Sequence, residues 1–325
     1  MRRCRIEPRD SWIDRINQSG VVMKHDGSGK VWNERCCIQI TLAEAESICT
    51  QAELIYDEIA ELTDYVIERC HLSDLKLTRE EKGVIADSWE MSDYLPTLFT
   101  RVDGVIDATN TFQFRGIASG LTDGLLEAAV AQWDWLQESS GWASQSNTIS
   151  ERLIEAWREY RLTDRMIHVV YDAADRYSTN LAEYLWDSAL SAGARAVPVA
   201  HSDLRVEPAS KKIIDCQGRE IDVLIRCGNF SPTSDGSLWT LTSHNDVCLV
   251  EPHWKRLWEN PEWISLYAKQ FRGDSVDGKL QALRRCEKSE LVCSVWIVAG
   301  KASGLGFSRV GRGAVEFIPH MLLVD

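Results

Sequence analysis

The sequence predicts a mixed α/β protein, and three observations predict it. Two helices are announced by reciprocal caps, Thr41-Leu-Ala-Glu44 and Thr78-Arg-Glu-Glu81, in which a threonine and the glutamate three residues on satisfy open backbone amides. A strand, a helix and a second strand succeed one another from Ile167 to Val199, the order of a β-α-β unit and hence of parallel pairing. Between Leu98 and Gln137, two short strands lead into an amphipathic helix.

Taken in order, the chain opens with Met1-Arg-Arg-Cys-Arg-Ile-Glu-Pro8. No apolar segment follows these arginines, so no secretory signal is expected. Val21-Val-Met23 and Val31-Trp32 flank a polar stretch, His25 to Lys30, that reads as a hairpin turn. Its Gly-Ser-Gly-Lys piece lacks the earlier glycine of a phosphate loop, and Val31 stands where Ser or Thr would hold magnesium. After Thr41, the residues Ile48, Ala52, Ile55, Ile59, Leu62 and Val66 recur at steps of four and three, one core-facing stripe on a long helix. The box at Thr78 starts a shorter helix towards Trp89.

Val102, Val105 and Ile106 suit a strand, and so does the alternation Phe112-Gln113-Phe114-Arg115. Gly116, Gly120 and Gly124 punctuate the turn that follows. Thr122 can cap a helix in which Leu126, Ala129, Val130, Trp133 and Leu136 share a face. Thr148 to Tyr160 repeats the design, with Leu153, Ile154 and Trp157 inward. In the β-α-β unit the strands are Ile167–Tyr171 and Ala196–Val199, and the helix is Thr179–Ala192. Asp172 and Asp175 lie just past its first strand, where α/β proteins place ligand groups and where turn caps also sit. Ile213 to Leu224 reads as a hairpin closed near Gln217-Gly218. Glu251 to Leu257 leads into helical sequence as far as Phe271, followed by a polar loop from Arg272 to Gly278 and strand-like sequence through Ser294–Val298 and Phe317–His320.

Composition excludes several function classes. A chain of 325 residues, 44% apolar, can bury about 75% of its unfolded surface. Its net charge of −13 argues against a nucleic-acid partner, because no basic stripe offsets the acid. No apolar run approaches the ~20 residues of a membrane span, so no membrane partner and a cytoplasmic location are expected. The 10 cysteines form no C-x-x-C pair and the 7 histidines no ligand spacing, which fits reduced, mostly buried thiols.

Several short strings together resemble one family, the glutathionylspermidine synthase-like ligases. They are Arg5-Ile-Glu-Pro-Arg9 with Trp12, Trp32-Asn-Glu34 with Cys37, Arg101-Val-Asp103, Leu125-Leu-Glu-Ala-Ala-Val-Ala-Gln-Trp133, Glu251-Pro-His-Trp-Lys255, Ser294-Val-Trp296 through Gly306, and Phe317-Ile-Pro-His320. The resemblance runs with gaps from Arg5 to His320. It implies a pre-ATP-grasp α/β domain with an ATP-grasp domain. It also implies a reaction in which ATP activates a peptide carboxylate as an acyl phosphate for attack by a polyamine amine. ATP and Mg²⁺ are the implied cofactors. By motif match Arg101 would steady the transferred phosphoryl group and Asp103 would hold magnesium, together with a Glu and an Asn of the next strand.

The chain departs from the family at those two partner positions. Gln113 replaces the Glu and Arg115 the Asn. Unit charges ~4 Å apart interact by about 4 kcal/mol at an effective dielectric of about 20, and a divalent ion beside Arg115 would meet about twice that in repulsion. The family's grasp subdomain normally follows the Glu-Pro-x-Trp-Lys segment. Here that interval shrinks to Gly273–Cys293, where Lys279 and Lys288 lack the family's surrounding motifs. Ser308-Arg309 stands where the family has Ile-Arg-Glu, and Arg312 follows. The expected division is a helical region with ATP-grasp-like core strands over 1–163, a pre-ATP-grasp-like β-α-β domain over 164–271, and a shortened, incomplete ATP-grasp remnant over 272–325. The functional expectation is a ligase-family protein impaired in ligation. Its alternatives are a pseudoenzyme that binds a small peptide, a polyamine or a protein partner, an active ligase, and a reading frame disturbed across 104–124 and 278–293.

Overall fold

The computed structural model describes residues 1–22, 29–69, 72, 75–119, 123–139, 144–227, 242, 247–272, 290–311 and 314–323. Gly120, Thr122, Lys279, Lys288, Arg312, most of the His25–Lys30 turn and most of the Gly273–Cys293 interval lie outside them.

In chain order, β1 (Arg2–Arg5), α1 (Trp12–Gln18), β2 (Gly29–Trp32) and β3 (Cys36–Ile40) precede the long α2 (Leu42–Glu68) and α3 (Arg79–Glu90). Next come β4 (Phe99–Ile106) and β5 (Phe112–Ser119), then a helix with a π-helical turn at Glu127–Ala131 that continues as α4 (Gln132–Ser139). α5 (Ile149–Glu159) leads into β6 (Met166–Tyr171), α6 (Arg176–Ser191) and β7 (Arg195–Ala200). The short β8 (Arg205–Val206) and β9 (Ile213–Ile214) are followed by β10 (Val223–Cys227), β11 (Cys248–Val250), α7 (Arg256–Glu259) and α8 (Trp263–Phe271). The chain returns as β12 (Glu290–Val298), β13 (Lys301–Gly311), β14 (Ala314–Ile318) and β15 (His320–Leu322).

A six-stranded sheet, ordered β2-β14-β13-β12-β4-β5, is antiparallel except where β14 pairs β2. One face packs on the apolar stripe of α2 and on the tryptophans of the 254–263 segment, joining Ile48, Ile55, Ile59, Val102, Val295 and Trp258 in one core. The other face packs on α4 and α5 through Trp296, Val298, Trp135, Leu153 and Trp157, a core that continues beneath β6 and α6. A second sheet, β11-β10-β6-β7, is wholly parallel, as the β-α-β unit predicts. The three-stranded β1-β3-β15 sheet joins the first and last strands of the chain. No helix among the described residues is long and apolar enough to cross a membrane.

Both capping boxes form, and all six residues of the α2 stripe are buried. Asp175 caps α6 by accepting from the Tyr177 amide, and Asp172 accepts from the Ala174 amide, so both aspartates serve as turn and helix caps. Four expectations need correction. The helical segment ending at Phe271 is not one helix: Pro261 breaks it between α7 and α8. Gly116 lies inside β5 rather than in a turn. The hairpin near Gln217-Gly218 turns as expected, with Gly218 at φ +78°, but its ladder shrinks to the Ile214–Glu220 bridge. The fourth concerns the helix after Gly124, where Trp133 is 50% exposed and Trp135 is buried instead. A π turn inserts one residue into the helical period, so Trp133 just beyond it rotates out of the face that a 3.6-residue repeat assigns, while Leu136 stays buried as expected.

Candidate functional site

Arg101 and Asp103 sit two apart on β4 and therefore project from the same face of the six-stranded sheet. Arg101 Nε and Nη2 donate to the two Asp103 carboxylate oxygens, each at 2.9 Å, a bidentate fork. Register supplies the remaining contacts. Ser294 lies opposite Asp103 across β12 and donates its hydroxyl to Oδ1 at 2.6 Å. Trp296 lies opposite Arg101, its ring centroid 5.8 Å from the guanidinium carbon. Burial disfavours the charge on Arg101, yet Asp103 more than offsets it and holds the guanidinium's pKa above its ordinary value.

The turn before the π helix closes the site. Gly124, at φ +99°, takes a conformation that costs glycine little, and the Asp123 carbonyl accepts from Arg101 Nη1. The Gly124 amide donates to the Tyr177 hydroxyl at 3.1 Å, and that hydroxyl donates to Glu127 Oε2 at 3.1 Å. Burial, then the neighbouring Glu127, pushes the Tyr177 pKa well above its usual range. Gln132 clamps the backbone of the buried His320, donating to its carbonyl at 2.7 Å and accepting from its amide at 3.0 Å. These groups wall a cavity of about 180 Å³ that Arg101, Asp103, Glu127, Trp296, Phe317 and His320 line in part.

Gln113 and Arg115 turn elsewhere. The β4–β5 ladder pairs Asp103 with Gly116 and Gly104 with Phe114, so Arg115 is the extra residue of a bulge. Its guanidinium lies 3.8 Å from Glu290, and Gln113 donates to Asp107 at 2.8 Å. Arg309 pairs with Glu316 across β13 and β14 at 3.4 Å.

The Glu-Pro-His-Trp-Lys segment clamps the start of β4. Glu251 Oε1 accepts from the Leu98 and Phe99 amides at 2.8 and 2.7 Å. Lys255, itself buried, pairs with Glu251 at 2.7 Å and donates to the Phe99 carbonyl and the Thr100 hydroxyl. The clamp grips β4 just ahead of Arg101 and ties it to the parallel sheet. The N-terminal strings are structural in the same way, Arg9 pairing with the fully buried Glu34 at 2.6 Å.

Magnesium does not fit this donor set. Both Asp103 oxygens are engaged by Arg101, and one of them by Ser294 as well. The bulge beside Asp103 supplies no oxygen ligand, since its extra residue is Arg115, which turns to Glu290. Among the described residues, no group of three or more His, Cys, Asp or Glu is placed to hold a metal ion.

Sequence reasoning reached Arg101 and Asp103 but missed Ser294, Trp296, Glu127 and Tyr177 as their neighbours. Ser294 and Trp296 sit on the strand next to β4 in space but some 190 positions away in sequence, a separation no local pattern spans. The only available signal was their alternate spacing in a strand-like segment, which puts both on one face.

The chain thus clamps a wholly parallel sheet onto a mostly antiparallel one that carries the Arg101–Asp103 pair. Residues 3–276 match the glutathionylspermidine synthase pre-ATP-grasp family, and the chain belongs to it. It is 27% identical over 241 residues to a putative acid–amine ligase of Haemophilus influenzae, a match covering 72% of this chain. The match spans about 60% of the length of that relative. A glutathione synthetase-like effector from Globodera pallida, solved in its apo form, aligns over 97% of this chain and 96% of its own. The two are 10% identical with a TM-score of 0.49, too slight a likeness to add to the assignment.

Proposed function

We propose that this chain keeps the frame of an ATP-dependent acid–amine ligase without performing ligation, and that it binds a small peptide or a polyamine. The observation that carries the reading is the engagement of Asp103 by Arg101 and Ser294, with Gln113 and Arg115 at the partner positions. In a ligating member these positions would hold magnesium, which would supply charge neutralisation for the nucleotide, and Arg101 would stand ready for charge developing on the transferred group. In this chain Arg101 is spent on its own strand and on the Asp123–Gly124 turn. The cavity size supports the loss of ligation, since about 180 Å³ falls below the roughly 300–1,000 Å³ of sites that take a ligand as large as a nucleotide or its substrates whole.

The test is ADP release with glutathione and spermidine as the first substrate pair, then with other peptides and amines. The expected result is release no faster than without substrates. ADP release that requires both substrates would overturn the reading and assign Arg101 and Asp103 the catalytic and metal-holding roles implied by the resemblance.

A further inference from the structure

We propose a second binding site, for a small zwitterion of the apolar amino-acid class, in the cavity at the carboxyl ends of β10 and β11. The cavity encloses about 430 Å³ and lies on the opposite side of the six-stranded sheet from Arg101. Ser119, on its wall, pairs with Thr100, and alternation along β4 puts Thr100 and Arg101 on opposite faces. The proposal therefore stands whether or not the Arg101 site turns over.

Charge accounting identifies the ligand. Lys255 is paired with Glu251 at 2.7 Å, Arg256 with Glu81 at 2.9 Å and Lys76 with Glu262 at 3.2 Å. Two charged groups remain, Arg226 near the end of β10 and Glu259 on α7, and neither makes a hydrogen bond or ion pair among the described residues. The Ser119 hydroxyl is buried and likewise has no partner, on a residue that is 3% exposed. A buried hydroxyl left without a partner is costly unless something else completes it. One cation and one anion on the same wall suit a ligand with one carboxylate and one ammonium. A dianion such as phosphate would meet several carboxylates for one unpaired cation, and a polyamine would meet Arg226 as a like charge. Leu75, Leu77, Leu249, Pro252 and Pro261 give the cavity an apolar wall for the ligand's side chain. Its volume is in the range of ordinary small-ligand pockets, and carboxyl ends of parallel strands are where open α/β sheets bind ligands.

The experiment is calorimetric titration of the full chain with L-leucine, leucinamide and 4-methylpentanoate. Leucine is expected to bind. Leucinamide, which lacks the carboxylate, and 4-methylpentanoate, which lacks the ammonium, should each bind about tenfold or more weaker. Arg226→Gln should abolish leucine binding. Glu259→Gln, at an exposed position, should weaken leucine about tenfold while leaving 4-methylpentanoate unchanged, and this keeps the test decisive should Arg226→Gln fail to fold. No leucine binding by the cooperatively melting wild-type protein would overturn the proposal. So would leucine affinity indifferent to both substitutions.

Discussion

Asp103 accepts from three donors on two other side chains, and the Arg101 wall of the cavity depends on it. Replacing it by Asn keeps the shape but removes the charge that Arg101 needs in a site where both side chains are largely buried. Asp103→Asn should destabilise the fold by about 2–3 kcal/mol in chemical denaturation. Arg101→Met in the Asp103→Asn background should cost little more, and additive losses would show that the fork contributes nothing as a pair. His320 offers a second test at this scale. It is 1% exposed, and burial lowers its pKa from 6.5 to about 4. As pH falls below 6.5, the unfolded chain takes up a proton that the folded chain refuses until about 4, so stability is full above this window and declines through it. His253, also lowered to about 4 by burial, adds to the same trend. The melting temperature should therefore drop between about pH 7 and about pH 5, and the drop should shrink in His320→Gln. An unchanged drop in the variant would mean that His320 does not titrate in this way.

The elements show which physical signals a sequence exposes. α2 and α3 were legible because a capping box and an apolar stripe are both local: the donors, acceptors and packing face lie within a few residues of one another. The parallel unit was legible for the same reason, its periodicity switching from strand to helix and back. The helix after Gly124 was legible in its existence but not in its face. What selects a π turn is tertiary, namely the pull of Glu127 towards Tyr177 and of Gln132 towards the His320 backbone. Gln132→Ala tests this directly. It leaves the buried amide and carbonyl of His320 without partners and should cost about 2 kcal/mol. A loss close to zero in thermal or chemical unfolding would show that the clamp does not hold the helix in register. Gly104 illustrates another non-local demand, since an added Cβ would come within 2.4 Å of the Phe112 ring. Gly104→Ala should therefore destabilise by about 1–3 kcal/mol through overpacking, read from the same unfolding curves.

At the scale of the whole molecule, the chain weaves its ends together. β2 and β14 pair in the six-stranded sheet, β1, β3 and β15 form their own sheet, and the Glu251–Lys255 clamp holds the parallel sheet to β4. The family strings legible in the sequence turn out to serve this architecture at Arg9, Glu34, Gln132, Glu251 and Lys255, where each side chain completes a buried polar contact. A motif match could not separate that role from chemistry, because both place polar residues at fixed spacing. We propose that this frame persists without a magnesium–nucleotide site at Arg101 and Asp103. Calorimetric titration of the intact chain with ATP, with and without magnesium, tests it most directly. No magnesium-dependent binding is expected in the wild type, because Arg101 and Ser294 engage both Asp103 oxygens. Micromolar MgATP binding by the wild type that vanishes on chelation and in Asp103→Asn would contradict it.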